Sequence, residues 1–311
     1  MKRRSFIGAS AVGAVALSAA AIQPATAGSR GKKGVLLVHG SWHGAWCWGG
    51  VIPHLHEAGI ATFAIDLPGH GLNTILPDSF TKRPLDAGAF ATEVSPLAGY
   101  GINDYADAVI KAAEEAKEAG VKKLYAVGHS MGGVPISFAA AKRPDLFEGL
   151  VYIAALAPVP GKPAGAYLAL PDQAENSKLG PAIKADPATI GALRIDPRSE
   201  DEGYLAAMKL ALADDVDDAY LRTVMHYLTP DAPVSIYGEV ADFASGFEKL
   251  RRSFIICNQD KTVLPSTAEA MIADMDAAWP RQKTKVRRVD SSHEAMFAAP
   301  EELAQHIKKS L

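Results

Sequence analysis

The chain has 311 residues, 48% of them hydrophobic and 22% charged, with a formal net charge of −3. That composition excludes a disordered or fibrous protein, and the small negative charge offers no electrostatic hold on nucleic acid. A chain of this length can bury a core that stands without metals or disulfide staples.

The N-terminus reads as an address. Lys2-Arg3-Arg4-Ser5-Phe6-Ile7 precedes a weakly apolar Ala/Val stretch and then Ala25-Thr26-Ala27. A basic start, an apolar middle and a small-x-small end describe an export signal, and the Arg3-Arg4 pair resembles a twin-arginine signal. We expect residues 1–27 to be removed, leaving 28–311 as a single domain that is periplasmic or secreted. The stretch is rich in Ala and Gly and would span a bilayer poorly. No other segment is apolar for long enough, so no stable membrane span is expected after processing.

Residues 34–38 are a short apolar run that reads as a buried strand ending at His39-Gly40. Residues 51–58 have helical spacing and stop at Gly59, and 60–65 read as a second strand. Residues 72–102 carry several Pro and Gly and show no clear period, a long connection of a kind that is often functional. A helix is expected over 104–119, a third strand over 123–127, a helix from Ser130 to about Ala141, and a fourth strand over 150–155. The alternation then breaks. Residues 158 to about 235 hold several prolines and a helical stretch near 204–228, and read as an insertion. Strands resume at 253–257 and 284–289, and a helix over 301–311 follows. The expected fold is α/β, with a mostly parallel central sheet, helices on both faces and a helical cap insertion. Ligands of such sheets bind beyond the carboxyl ends of the strands.

Gly128-His129-Ser130-Met131-Gly132-Gly133 follows one of these strands and opens a helix. A G-x-S-x-G turn in that setting thrusts a serine hydroxyl out of the sheet, and small residues at 128 and 132 let the backbone bend and pack closely. Ser130 is therefore the candidate nucleophile, and His129 reads as structural, pointing elsewhere. A serine hydroxyl needs an adjacent base. His293, in Asp290-Ser291-Ser292-His293, lies just past a strand and before the last helix. The acid should fall between serine and base in chain order, and Asp260 follows the strand ending at Cys257. Asp290 is the rival acid, but it is too near His293 to occupy a separate loop. The backbone N–H of Met131 is one expected oxyanion donor, and the other should come from His39-Gly40-Ser41-Trp42. Gly40 and Trp42 are expected at the substrate. His39 and His43 lack acidic or Cys partners in sequence, so no metal site is expected. Cys257 lies in an apolar run and reads as a buried thiol rather than half of a bridge with Cys47.

Together these motifs resemble those of α/β-hydrolases, and the run from Val38 to Trp48 resembles the start of plant methyl esterases and hydroxynitrile lyases. The elbow, Asp260-Lys261 and Ser292-His293 resemble the same family, over most of residues 34–311. The resemblance implies that Ser41 N–H is the second oxyanion donor, that a helical cap covers the pocket, and that no cofactor is used. The lyases carry threonine after the first-loop histidine and lysine after the catalytic histidine. Here those positions hold Gly40 and Glu294, and glutamate would oppose a departing cyanide. The expected activity is hydrolysis of small-molecule carboxylic esters through an acyl-enzyme. A lyase using the same triad and a non-catalytic ligand sensor are the alternatives.

Overall fold

The computed structural model describes residues 33–311, so the segment expected as an export signal lies outside the described residues. Eight strands are found there: β1 (Lys33–Val38), β2 (Ala61–Ile65), β3 (Lys123–His129), β4 (Gly149–Ile153), β5 (Ala192–Arg194), β6 (Asp231–Pro233), β7 (Arg251–Cys257) and β8 (Lys285–Val289). Six form one sheet in the order β2-β1-β3-β4-β7-β8, with every neighbouring pair parallel. These are the six strands expected from the sequence, with ends that differ by a few residues. The fourth stops at Ile153, because Ala154 turns to a φ of 45°.

Successive residues of a strand point to opposite faces. Val35 and Leu37 face one way, Leu36 and Val38 the other, and all four are fully buried, as a sheet covered on both sides requires. One face carries the helices Ile102–Glu118 and Gly133–Lys142. The first buries Ile102, Tyr105, Ala106, Val109, Ala112, Ala113 and Ala116, a stripe at helical spacing. Its start is capped where Asp104 accepts from the Gly101 N–H at 2.8 Å. The other face carries Ile52–Glu57 and Pro300–Ser310, which bury Leu55, Leu303 and Ile307. The chain leaves β1 toward one face and β3 toward the other. The crevice between these neighbours is the reversal point at which such sheets hold ligands.

Between β4 and β7 the chain leaves the sheet. The single helical stretch expected near 204–228 is two helices, Glu202–Leu212 and Asp218–Met225. Asp217 starts the second by accepting from the Tyr220 N–H at 2.8 Å. The short strands β5 and β6, which the pattern did not reveal, form an antiparallel pair. Residues 72–102 are not bare loop: they contain the short helices Asp78–Thr81 and Ala87–Thr92. Arg194 of β5 fastens them. Its guanidinium is fully buried, donates to both carboxylate oxygens of Asp231 on β6 at 2.7 Å, and reaches the carbonyls of Phe90 and Glu93. Helix Pro265–Ala278, also unforeseen, packs Met271 and Met275 into the larger core. Among the described residues, no helix is long and apolar enough to cross a membrane. Cys47 and Cys257 are both buried and unbridged.

Candidate active site

Ser130 stands at the carboxyl end of β3 with φ of 51°, a value that few residues other than glycine adopt. Its strained turn is held from both sides. The Ser130 carbonyl accepts from Leu156 N–H at 3.0 Å, and a Cβ on Gly132 would lie 2.6 Å from the carbonyl oxygens of Val38 and His39. Only glycine fits there, so the elbow and the end of β1 touch through bare backbone. Met131, next along, is fully buried.

The loop after β1 lies beside this turn because Val38 pairs with Gly128 in the parallel register. Gly40 is too close to Ser130 for any side chain, since a Cβ would sit 2.9 Å from the Ser130 Cβ. The absence of a side chain at Gly40 lets the backbone of this loop approach the elbow. His39 is neutral: burial above all, and then the His70 ring, hold its pKa well below the ordinary histidine value. Its two nitrogens have distinct partners. Nδ1 donates to the Gly40 carbonyl at 2.8 Å, and Nε2 accepts from Leu67 N–H at 3.0 Å. Because a trans peptide sets its N–H opposite its C=O, this clamp also orients the Ser41 N–H.

His293 follows β8, and its Nδ1 donates to Asp260 Oδ2 at 2.8 Å, with both groups buried. The other oxygen, Oδ1, accepts from the N–H groups of Thr262 and Val263 at 2.8 and 2.9 Å. Burial pulls the His293 pKa down, but the charge and hydrogen bond of Asp260, helped by the charge of Glu294, outweigh it and raise it above the ordinary value. The rival acid Asp290 instead accepts from Gln259 Nε2 at the surface. The turn between the two cap helices holds the histidine loop. Asp215 accepts from Ser291 Oγ and Ser292 N–H at 2.8 Å each, and the Glu294 N–H donates to Leu212 O at 3.0 Å.

Ser130, His293, Ser41 and Trp42 line one cavity of about 270 Å³, which Leu193 and Tyr237 help to close. Trp42 has φ of 64° and is gripped by the cap: its Nε1–H donates to Leu193 O at 2.9 Å, and its carbonyl accepts from Thr229 N–H at 2.8 Å. Tyr237 OH lies 3.2 Å from Ser41 Oγ. Sequence reasoning missed Leu193, Thr229 and Tyr237, which have no motif of their own. His129, expected to point elsewhere, lines the cavity too, and its Nε2 donates to the His293 carbonyl at 3.1 Å. The sequence also left His43 without an acidic neighbour; folding sets its Nε2 3.5 Å from Glu294 Oε2. Among the described residues, His129, His293 and Glu294 could each offer a ligand atom within 4.8 Å of the others. However, His129 and His293 already spend one nitrogen each on protein partners.

This constellation, on a parallel sheet and at the end of the strand that opens the elbow, defines an α/β hydrolase. The chain belongs to the alpha/beta hydrolase family, whose model matches residues 35–306. It is similar to methylesterase 9 of Arabidopsis thaliana, with 24% identity over 89% of this chain and 97% of that protein. It is also similar to the esterase PIR7B of Oryza sativa subsp. japonica, at 35% identity over 44% of each chain. Among solved structures, a pyrethroid hydrolase from Sphingobium faniae JZ-2 superposes with a TM-score of 0.67 at 19% identity, over 89% of this chain and 96% of that one.

Proposed function

We propose that this protein hydrolyses carboxylic esters of small molecules, with Ser130 as nucleophile, His293 as general base and Asp260 as the carboxylate behind it. The observation that carries this reading is the buried 2.8 Å contact from His293 Nδ1 to Asp260, in a histidine that lines the same cavity as Ser130. A proton fixed on Nδ1 leaves Nε2 free to take the Ser130 proton as Oγ attacks the ester carbonyl. The N–H groups of Met131 and Ser41 would stabilise the oxyanion. His293 then returns the proton to the leaving alcohol, and water activated by the same nitrogen releases the acid from Ser130. The esterase names of the relatives support the same chemistry. Glu294 in the cavity wall argues against the lyase alternative, because a departing cyanide would meet a like charge. Replacing Ser130 with Ala should lower turnover of p-nitrophenyl acetate by about 10,000-fold or more. Undiminished turnover would refute the assignment.

A further inference from the structure

Glu294 is a buried carboxylate, 2% exposed, in the wall of the Ser130 cavity, and its Oε2 has no hydrogen-bond partner among the described residues. Two imidazoles lie close enough to serve it, and geometry turns both away. His43 Nδ1 is 2.7 Å from the Ser41 carbonyl, which can only accept. The hydrogen of a neutral His43 is thus on Nδ1, and its Nε2 presents a lone pair to Glu294 Oε2 at 3.5 Å. His129 Nε2, 3.8 Å from the same oxygen, carries a hydrogen but gives it to the His293 carbonyl. Glu294 also borders a second, small cavity that the apolar cap residues Met208, Leu212, Leu221 and Met225 line. Oε2 is sealed among these neighbours, so a donor brought by a ligand must meet the carboxylate at its other oxygen, which is not sealed in this way, where Glu294 borders the cavity.

We propose that Glu294 is a specificity-determining residue, and that the preferred esters carry a hydrogen-bond donor, a hydroxyl or an ammonium, close to the ester group. A carboxylate oxygen of Glu294 and a ring nitrogen of His293, the proposed base, lie within 4.8 Å of each other, so a substrate poised at Ser130 brings its groups nearest the scissile bond within reach of the carboxylate. This rests on the ester-hydrolase reading and names its substrate class. The donor can sit on the acyl or the alcohol side, and matched esters separate the two. Methyl lactate and alanine methyl ester against methyl propionate test the acyl side; 2-hydroxyethyl acetate against ethyl acetate tests the alcohol side.

At least one donor-bearing ester should exceed its partner about tenfold or more in kcat/KM, the size of a charge-assisted hydrogen bond. Glu294→Met should bring that ratio toward one. Glu294→Gln, a closer match in shape, should keep part of a hydroxyl preference and lose an ammonium preference. If His43 instead takes up a second proton and satisfies Glu294, Glu294→Met will change every ester alike and leave the ratios standing, which would overturn the proposal. Calorimetric binding of the same pairs to Ser130→Ala needs no turnover. A donor preference there that disappears on adding Glu294→Met supports the proposal even if no ester is hydrolysed. Equal affinities within every pair overturn it even if ester hydrolysis stands.

Discussion

The floor of the cavity and its cover are held in place by different means. On the floor, backbone meets backbone: Gly132 against the carbonyls of Val38 and His39, Gly40 against Ser130, and Val38 in register with Gly128. Few residue types tolerate such contacts, so the chemistry of the floor is written as motif. The cover is held by side chains drawn from distant segments. Arg194 joins β5 to Asp231 and to residues 90 and 93, Leu193 and Thr229 grip Trp42, and Asp215 holds the loop that carries His293.

The comparison is sharpest where one change damages a single region. On the floor, Asp260→Asn should leave the fold in place and lower kcat by about 10,000-fold, because an amide can hold His293 in the wrong tautomer. The pH profile should move as well. Asp260 is the main support of the protonated imidazole, so its loss lowers the His293 pKa and carries the acid limb of kcat/KM to lower pH. A large activity loss with an unmoved limb would mean that the carboxylate does not act through His293. In the cover, Arg194→Met strands a buried Asp231 carboxylate and should cost about 3–5 kcal/mol of stability, read from denaturant unfolding. Adding Asp231→Leu should recover much of that loss. Fluorophosphonate labelling of Ser130 should persist in the folded fraction of Arg194→Met; its disappearance there would show that floor and cover are one unit.

The four central strands of the main sheet, β1, β3, β4 and β7, were legible because burial on both faces leaves continuous apolar runs such as residues 34–38 and 253–257. The positions of Ser130 and Asp260 were legible because each follows such a run, whereas His293 follows the edge strand β8, where Lys285 and Arg288 are exposed. The rest was not, for reasons of scale and distance. Strands β5 and β6 have three residues each, too few for alternation to register. In helix Pro265–Ala278 the buried positions Thr267, Ala268, Met271 and Met275 include small and polar side chains, which blurs the apolar stripe. The closeness of His43 to Glu294 spans most of the chain and follows no spacing rule. Glu294 itself stood out in sequence only as a departure from the lyase pattern, while its want of a donor needed the fold.

The central claim is that the Ser130 hydroxyl is made nucleophilic by His293, and covalent labelling tests it most directly. Incubation with a fluorophosphonate, followed by peptide mass mapping, should find one adduct, on Ser130, formed rapidly in the native chain and scarcely at all in His293→Ala. An adduct on another residue, or equally fast labelling of Ser130 without the imidazole, would contradict the account.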